Sequence, residues 1–231
     1  MQSRILFFLL VLVATNAWAD RGGGGDNSGG YSWVDNQEPD GPTFEWVEPG
    51  RDATNLELGD DATREIDFPP GFSFEYFGET YNSIFICSNG WVTFVPTGDT
   101  TYRPTSAFPD NAGPMGMLAP IYTDLNPSIG NAQQPNGVWV HMDGEDFLVT
   151  WRAPFFGQTD LGQVEAQLRL SQEDVINFNY RQIPGGGGLT ISAGLEATDR
   201  LDGVSSFFGE IQNSVNNYSV AWTYDLSLIH I

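Results

Sequence analysis

The sequence predicts an all-β protein, a single antiparallel β-sandwich of jelly-roll-like design over residues 31–225. Three observations support this fold class. From Tyr31 onward, short β-prone runs alternate with segments rich in Gly, Pro, Asn and Asp, which are turn-forming residues. No amphipathic helical pattern continues beyond two turns. The chain has 231 residues, 40% of them hydrophobic, and is therefore long enough to bury a core.

Ten segments have the composition of strands, because β-branched and aromatic residues are frequent in them. They are Thr43–Val47, Phe72–Phe77, Ile84–Cys87, Trp91–Val95, Val138–Met142, Phe147–Trp151, Val164–Leu170, Val175–Tyr180, Leu189–Leu195 and Tyr218–Tyr224.

Two hairpins are specified by local sequence. Val138–Met142 meets Phe147–Trp151 across Asp143-Gly144-Glu145-Asp146, and Asp-Gly between apolar runs is a strong hairpin signal. The strands Val164–Leu170 and Val175–Tyr180 alternate apolar with polar residues, which predicts one buried face and one solvated face.

Two glycine-containing segments predict loops. Asn89-Gly90 is interpreted as a tight reversal between two buried strands, since both residue types tolerate positive φ, and a structural role is favoured over a binding role. The run Gly185–Gly188 predicts a flexible loop.

The first 30 residues are expected to lie outside the fold. Arg4, the apolar run Ile5–Val13 and the small residues of Ala17-Trp18-Ala19 form the pattern of a secretory signal peptide, residues 1–19. The Gly-rich residues 20–30 predict a flexible linker. The mature protein is therefore expected to be secreted, to the extracellular or periplasmic space.

The C-terminal residues 226–231 resemble the translation of a sequencing-library adaptor, with an ordinary β-prone tail as the alternative. If the adaptor interpretation holds, the natural protein continues beyond Asp225.

Acidic residues dominate the charge: 30 Asp and Glu stand against nine Arg and no Lys, for a net charge of −21. This balance excludes nucleic acid as a partner, because contacts to phosphate require Lys and Arg, and it disfavours an anionic membrane surface. Residues 35–79 carry 13 acids and two Arg. This stretch is predicted to form a solvated acidic face away from Asp124 rather than a cation site.

Residues suited to catalysis are scarce, and a non-catalytic protein is predicted. Cys87 is the only cysteine, so no internal disulfide is available, and its apolar strand predicts a buried filler. His141 and His230 are the only histidines, and neither a Gly-x-Ser-x-Gly elbow nor a His-Glu-x-x-His helix is present. With 30 acids, spacing alone does not identify a glycosidase pair.

Calcium is the cofactor that suits this acidic chain best, because Ca²⁺ takes six to eight oxygen ligands, commonly from loops. Asp124 and Asn126, in the loop after an apolar strand, are the first candidate ligands. Further candidates crowd two other turns: Asp143, Glu145 and Asp146 in one, Asp199 and Asp202 in the other. None matches an EF-hand, and solvated turn acids are the alternative interpretation.

Six tryptophans lie outside the signal segment, and most alternate with core positions: Trp33, Trp46, Trp91, Trp139, Trp151 and Trp222. They are interpreted mainly as sandwich filler, with an aromatic platform for sugar or peptide as the alternative.

Several motifs, taken in order, resemble a nidogen-like extracellular module. Tyr76-Phe77-Gly78 is followed by Ser88-Asn89-Gly90-Trp91, and Leu118–Asn126 is similar to the family's apolar-Pro-aromatic-Asp segment. The strand Val149–Trp151 and the hairpin Gln163–Tyr180 follow in the expected order, so the similarity covers about residues 60–197.

The chain departs from the family pattern at two points. Pro120-Ile121-Tyr122 stands where the family usually has Pro-Phe-Trp, and the turn Gln172-Glu173-Asp174 replaces an Asp-Gly turn.

The resemblance implies a secreted adhesion or ligand-binding module whose partner is an extracellular protein or a glycan. The alternative it implies is an ancillary domain of a larger secreted hydrolase, for example a subtilisin-like peptidase. A stand-alone glycan hydrolase or lectin is a third, weaker possibility.

Overall fold

The protein is described by a computed structural model over residues 21–23, 30–130, 135–173 and 175–224. Two antiparallel sheets pack on one another as a sandwich, which confirms the predicted fold class. The helical content of the described residues is one 3₁₀ turn, Thr159–Leu161. No helix in this part of the chain has the length and apolar character needed to cross a bilayer.

In chain order the strands are Arg21–Gly23 (β1), Tyr31–Asp35 (β2), Thr54–Asn55 (β3), Thr63–Asp67 (β4), Phe74–Tyr76 (β5), Glu79–Tyr81 (β6), Ser83–Cys87 (β7), Val92–Thr93 (β8), Met117–Tyr122 (β9), Gly137–Asp143 (β10), Asp146–Ala153 (β11), Val164–Leu170 (β12), Ile176–Ile183 (β13), Thr190–Glu196 (β14), Gly203–Glu210 (β15) and Val215–Tyr224 (β16). The larger sheet has the order β1-β2-β16-β13-β12-β11-β10-β3. The smaller sheet has the order β15-β14-β9-β8-β7-β4, and β5 pairs with β6 separately.

Nine of the ten predicted strands correspond to observed strands, with ends that differ by a few residues. Of the other seven strands, β9 was expected only as the apolar strand before Asp124, and β1, β2, β3, β4, β6 and β15 were not individually predicted. Four of these six lie at the edges of the two large sheets: β1, β3, β4 and β15. Edge strands have solvent on one side and carry polar residues, so the alternation of apolar and polar residues along them is weak.

The two predicted hairpins form the centre of the larger sheet. Asp143 pairs with Asp146 around a two-residue turn, in which Gly144 has φ +64°. In the second hairpin, Leu168 pairs with Phe178 and both are fully buried. The face of this hairpin that was predicted to be solvated is partly covered, because Gln167 on that face is fully buried.

The predicted strand Thr43–Val47 is wrong: this segment runs without ladder pairing and contacts the polar face of the larger sheet. Nε2 of Gln167 donates to the Val47 carbonyl at 2.8 Å, and the Val47 N–H donates to Oε1 of Gln167 at 3.3 Å. A side-chain amide offers the same donor and acceptor as a peptide group. It therefore satisfies the Val47 backbone where a strand partner is missing, and the segment covers the face predicted to be solvated.

The same segment completes a ring of ion pairs. Arg152 contacts Glu165 through Nε and Glu48 through Nη2, both at 2.9 Å. Arg181 contacts Glu165 through Nε at 2.9 Å and reaches the second oxygen of Glu48. The guanidinium of Arg181 also lies 5.7 Å from the ring centroid of Trp46. The four charges thereby tie the covering segment to β11, β12 and β13.

One apolar core joins the inner faces of the two sheets. Four of the six tryptophans are buried, as the filler interpretation predicts, whereas Trp46 and Trp139 are partly exposed. Nε1 of Trp151 donates to the Cys87 carbonyl at 2.8 Å and so links the two sheets. Cys87 is fully buried, which confirms its predicted role.

A second, smaller core lies on the outer face of the smaller sheet, where it is covered by the long loop 94–116. It consists of Cys87, Trp91, Phe108, Met117, Ala119 and Tyr122. Nε1 of Trp91 donates to the carbonyl of Thr101 at 2.8 Å, and the hydroxyls of Thr101 and Tyr122 are hydrogen-bonded at 2.8 Å. These contacts hold the loop residues that follow Thr101 beside the end of β9.

The predicted signal peptide, residues 1–19, the tail 226–231 and most of the linker lie outside the described residues. The exception is Arg21–Gly23, which pairs with β2 as an edge strand instead of forming part of a flexible linker.

Candidate functional site

Three carboxylates meet at one end of the smaller sheet. Asp60 and Asp61 precede β4, whereas Asp124 follows β9. One oxygen from each of the three lies within 4.8 Å of the other two. Among the described residues, they form the one group of three potential metal-binding side chains that lie this close.

Strand pairing explains why residues so distant in sequence become neighbours. The start of β4 lies beside the end of β7, because Thr63 pairs with Cys87. The end of β9 lies beside the turn after β7, because the Thr123 N–H donates to the Asn89 carbonyl at 3.3 Å. The turn between β7 and β8 therefore lies between the two acidic segments and is next to both of them.

Asn89, within this turn, fixes the acids relative to one another. Its Nδ2 donates to Oδ1 of Asp61 at 2.8 Å and to the Thr100 carbonyl at 3.1 Å. Its Oδ1 accepts a hydrogen bond from the Leu125 N–H at 2.9 Å. Asn89 is fully buried, and its hydrogen bond with Leu125 is buried as well. The predicted reversal is confirmed, and Gly90 has φ +77°.

Asp60 carries an oxygen without a partner. Its Oδ1 is inaccessible to solvent and makes no hydrogen bond to any described residue. Its backbone carbonyl accepts a hydrogen bond from the Ser88 hydroxyl, which holds the residue against the turn. Burial and the neighbouring charge of Asp61 raise the pKa of Asp60. A bound cation would give Oδ1 of Asp60 a partner and would reduce the repulsion between Asp60 and Asp61.

Asp124 is the most perturbed member of this acidic triad. Burial raises its pKa to about 6, and the negative charges of Asp61 and Asp60 act in the same direction. The guanidinium of Arg103 partly offsets this rise. Above pH 6, Asp124 therefore adds its negative charge beside the neighbouring side chains of Asp60 and Asp61.

The spacing of the triad fits calcium. Oxygen ligands lie 2.3–2.6 Å from Ca²⁺, so two ligands of one ion are separated by at most about 5 Å. The oxygens of Asp60, Asp61 and Asp124, within 4.8 Å of each other, satisfy this limit. Three carboxylates would supply part of the usual six to eight ligands, and backbone oxygens or water would supply the rest.

The other predicted calcium ligands have partners within the protein. Oδ1 of Asn126 accepts hydrogen bonds from the N–H of Ser128 at 3.0 Å and from its hydroxyl at 2.5 Å, so it stabilises a local turn. Asp143 and Asp146 both contact Arg169, at 2.9 and 2.7 Å, and so have a cationic partner within the protein. Asp143 and Asp146 are not members of the triad.

The acidic turn beyond β14 is likewise separate from the triad. Oδ1 of Asp199 accepts a hydrogen bond from the Leu201 N–H at 2.9 Å, and the Asp202 carbonyl accepts one from the Ala197 N–H at 2.8 Å.

Sequence reasoning missed Asp60 and Asp61, and it placed the acidic stretch 35–79 away from Asp124, which is wrong for these two residues. The error follows from β4, which was not predicted and whose pairing with β7 carries the two acids to Asp124. The only sequence signal was the adjacent pair Asp60-Asp61 after Gly59, and such pairs are common in turns.

A cleft of about 300 Å³ opens beside Asp124. It is lined by Tyr102, Arg103, Pro104, Thr123, Asp124, Gly188, Leu189 and Thr190. The Tyr102 side chain is 39% exposed, and the guanidinium carbon of Arg103 lies 5.8 Å from the centroid of its ring. The cleft thus combines an aromatic surface, a cation and an anion.

The wall formed by the glycine run is held in place, which differs from the predicted flexible loop. The Gly186 N–H donates to the Ile211 carbonyl at 2.9 Å, and Nε2 of Gln158 donates to the Gly187 carbonyl at 2.8 Å. Gly186 and Gly188 have φ of +81° and +63°, conformations that favour glycine. The hydrogen bonds and these conformations give the glycine run a defined backbone path.

Neither of the residues considered for nucleophilic catalysis is placed for it. Cys87 is fully buried, and burial raises the pKa of its thiol to about 12. His141 is partly buried in β10, and its two ring nitrogens make no hydrogen bond to a described residue. Burial lowers the pKa of His141.

Comparison with known proteins identifies the fold family. A family model described as NIDO related matches residues 37–228, which is most of the chain and includes the triad and the cleft. No curated protein and no solved structure matches the chain significantly.

Proposed function

Because the chain belongs to the NIDO-related family, a type of extracellular β module, we propose that it is a secreted, non-catalytic adhesion or ligand-binding domain supported by calcium. The observation that carries the calcium part is the triad of Asp60, Asp61 and Asp124 around the buried Asn89 turn. The ligand-binding part is supported by the cleft, which shares Asp124 with the triad.

The non-catalytic part is supported by the environments of Cys87 and His141. A thiol with a pKa of about 12 is not a thiolate at physiological pH, so Cys87 is a poor nucleophile. Without a hydrogen-bonded hydroxyl, thiol or carboxylate, His141 lacks the partners that a general base uses. No observation on the described residues favours the alternative of an ancillary domain of a larger hydrolase. That alternative stays a prediction, tested by recovering the uninterrupted reading frame.

Calcium binding is tested by thermal unfolding of the mature domain at pH 7.5 in 10 mM CaCl₂ and in EDTA. Extracellular calcium modules have dissociation constants of about 10⁻⁴–10⁻³ M, so saturation should stabilise the fold by about 1.5–3 kcal/mol. For a domain of this size, this corresponds to a rise in Tm of about 3–10 °C.

Two variants and a control locate the ion. Asp60→Asn and Asp124→Asn should abolish most of the calcium-dependent rise in Tm, because each removes a charged ligand from the triad. Asp67→Asn removes one charge from the exposed part of β4 and should leave the rise unchanged. If the unmodified domain shows no rise, or all three variants behave alike, the calcium proposal is wrong.

The calcium response should also depend on pH. Protons compete with the cation at Asp124, whose pKa is raised to about 6, so calcium should bind more weakly at pH 5 than at pH 7.5. A calcium-dependent rise in Tm that is equal at both pH values would show that Asp124 is not a ligand.

Secretion is tested by expressing the full chain in a bacterial host and sequencing the N-terminus of the exported product. Cleavage after Ala19 should give a mature chain that begins at Asp20, and an uncleaved product would contradict the signal-peptide interpretation.

A further inference from the structure

The cleft beside Asp124 holds two opposite charges that do not form a direct ion pair. Arg103 and Asp124 both line it, yet no nitrogen of Arg103 lies within 4.0 Å of a carboxylate oxygen of any described residue. In a chain with 30 acids and nine arginines, an Arg without an ion pair in a cleft has its hydrogen-bond donors available to a ligand.

This charge arrangement restricts the ligand. A cationic side chain would meet the guanidinium of Arg103, and an anionic group would meet Asp124 with Asp60 and Asp61 behind it. A purely apolar ligand would remove Arg103 and Asp124 from water without replacing their hydrogen bonds, which is costly. A neutral ligand that both donates and accepts hydrogen bonds avoids all three penalties.

The remaining lining residues add an apolar surface to these polar groups. Tyr102 presents a ring that is 39% exposed, with Pro104 and Leu189 beside the same cleft. The hydroxyl-bearing residues Thr123 and Thr190 also line the cleft. A pyranose has this amphipathic character, since one face of the ring carries C–H groups and its edge carries hydroxyls.

The cleft is organised before any ligand arrives. On one side of Tyr102-Arg103-Pro104, the Thr101 carbonyl accepts the 2.8 Å hydrogen bond from Trp91. On the other side, the N–H and hydroxyl of Thr105 donate to the buried carboxylate of Asp110 at 2.7 and 2.6 Å. A loop fixed at both ends loses little conformational freedom on binding.

Two of the other lining residues are joined to each other as well. The Thr123 hydroxyl donates to the Thr190 carbonyl at 3.1 Å, and Thr190 begins β14. Hydrogen bonds therefore fix the chain segments that carry Tyr102, Arg103 and Asp124.

From this arrangement we propose that the cleft binds a neutral saccharide, an inference that rests on the proposed binding function and names its ligand class. Tyr102 packs on the C–H face of one sugar ring. Arg103 donates hydrogen bonds to hydroxyl oxygens, and Asp124 accepts hydrogen bonds from hydroxyl groups. The volume of about 300 Å³ is at the lower end for ligand pockets, so the cleft accommodates a short segment of a saccharide.

The test uses the mature domain on an array of immobilised neutral oligosaccharides, with uronic-acid, sulfated and peptide probes alongside. Binding to neutral oligosaccharides is expected, followed by calorimetry with the strongest neutral probe. Tyr102→Ala and Arg103→Gln should each weaken that binding about tenfold or more. Phe208→Ala removes a similarly exposed aromatic ring from β15, outside the cleft, and should bind as the unmodified domain does.

Failure of this inference is distinguishable from failure of the calcium proposal. Tyr102→Ala leaves the triad intact, so its calcium-dependent rise in Tm should match that of the unmodified domain. The same unfolding curve also shows that the variant is folded. No binding to neutral oligosaccharides, binding only to the acidic or peptide probes, or equal binding by Tyr102→Ala would each overturn the saccharide assignment.

Discussion

Nδ2 of Asn89 donates a 2.8 Å hydrogen bond to Oδ1 of Asp61, from within the turn that joins β7 to β8. The same side chain accepts the N–H of Leu125, the residue after Asp124. One buried amide therefore connects the segments that carry the acidic triad. Since the turn is part of the smaller sheet, the geometry of the candidate site depends on the integrity of this sheet.

Replacing Asn89 by Asp should destabilise the domain strongly at pH 7. The change removes the donor to Asp61 and places a buried negative charge against it, which should cost about 2–4 kcal/mol of unfolding free energy. Urea unfolding at pH 7 measures this loss. Asn82→Asp makes the same substitution at an exposed position and should cost less than about 0.5 kcal/mol. Equal losses in the two variants would contradict the role of Asn89.

Two glycines with similar backbone conformations should respond very differently to alanine. Gly90 has φ +77°, and a Cβ there would lie 2.2 Å from the carbonyl oxygen of Ile121. Gly144 has φ +64°, but a Cβ there would meet no atom within 4 Å. Gly144→Ala should therefore cost about 1 kcal/mol, from backbone strain alone. Gly90→Ala should cost about 3 kcal/mol or more, because the sheet must also move.

Chemical denaturation of both glycine variants checks this difference. A loss for Gly90→Ala no larger than the loss for Gly144→Ala would show that β9 does not approach the turn as closely as the structure has it.

Stability should fall with rising pH because of Glu196, which is fully buried at the end of β14. Burial raises the pKa of Glu196 to about 7, from 4.5 for an ordinary Glu. The folded state therefore holds this proton more tightly than the unfolded chain does. The stabilisation is complete below about pH 4.5 and is lost as the pH rises through 7, by on the order of 3 kcal/mol.

Glu196→Gln isolates this contribution. Oε2 of Glu196 accepts the Asp110 N–H at 2.9 Å, and the amide oxygen of Gln can accept the same hydrogen bond. Between pH 4.5 and pH 8, the variant should gain stability relative to the unmodified domain, measured by urea unfolding across this range. Glu145→Gln, in the exposed turn after β10, should show no such gain. Parallel pH profiles for Glu196→Gln and the unmodified domain would contradict the prediction.

The ring of ion pairs should depend mainly on its buried member. The Glu165 side chain is 13% exposed and contacts both Arg152 and Arg181, whereas the Glu48 side chain is 57% exposed. Glu165→Gln should therefore cost about 1–3 kcal/mol of unfolding free energy, because two partly desolvated arginines lose their partner. Glu48→Gln should cost less than about 1 kcal/mol, as is usual for exposed pairs.

Urea unfolding in low and high salt separates the two contributions. The effect of Glu48→Gln should shrink in 1 M NaCl, since salt screens exposed charges more than buried ones. A larger loss for Glu48→Gln than for Glu165→Gln would show that the covering segment, rather than the sheet, holds the ring together.

The parts of the fold that sequence predicted correctly are those encoded by neighbouring residues. The hairpin closed by Asp143 and Asp146 follows from an Asp-Gly turn between apolar runs, and the reversal at Asn89-Gly90 follows from two residues that tolerate positive φ. Both signals lie within a few residues, so no distant contact was needed to interpret them.

Errors arose where a segment's partner lies far away in sequence. Thr43–Val47 has the composition of a strand, but its backbone bonds to the side chain of Gln167, 120 residues later. Gly185–Gly188 has the composition of a flexible loop, yet Ile211 and Gln158 hold it in place. Composition describes what a segment prefers, whereas the contacts that decide its conformation are made by residues elsewhere in the chain.

Residue pattern alone predicted the all-β class, the central hairpins and the burial of Cys87, and it named Asp124 as a candidate ligand. Tertiary structure decided that Asp60 and Asp61 join Asp124, because the antiparallel pairing of β4 with β7 brings them to the end of β9. The same pairing places Asn89 between them, and the packing of loop 94–116 sets Tyr102 and Arg103 beside Asp124. Local preference specifies strands and turns, but sheet order determines which loops meet, and the candidate site is made of loops.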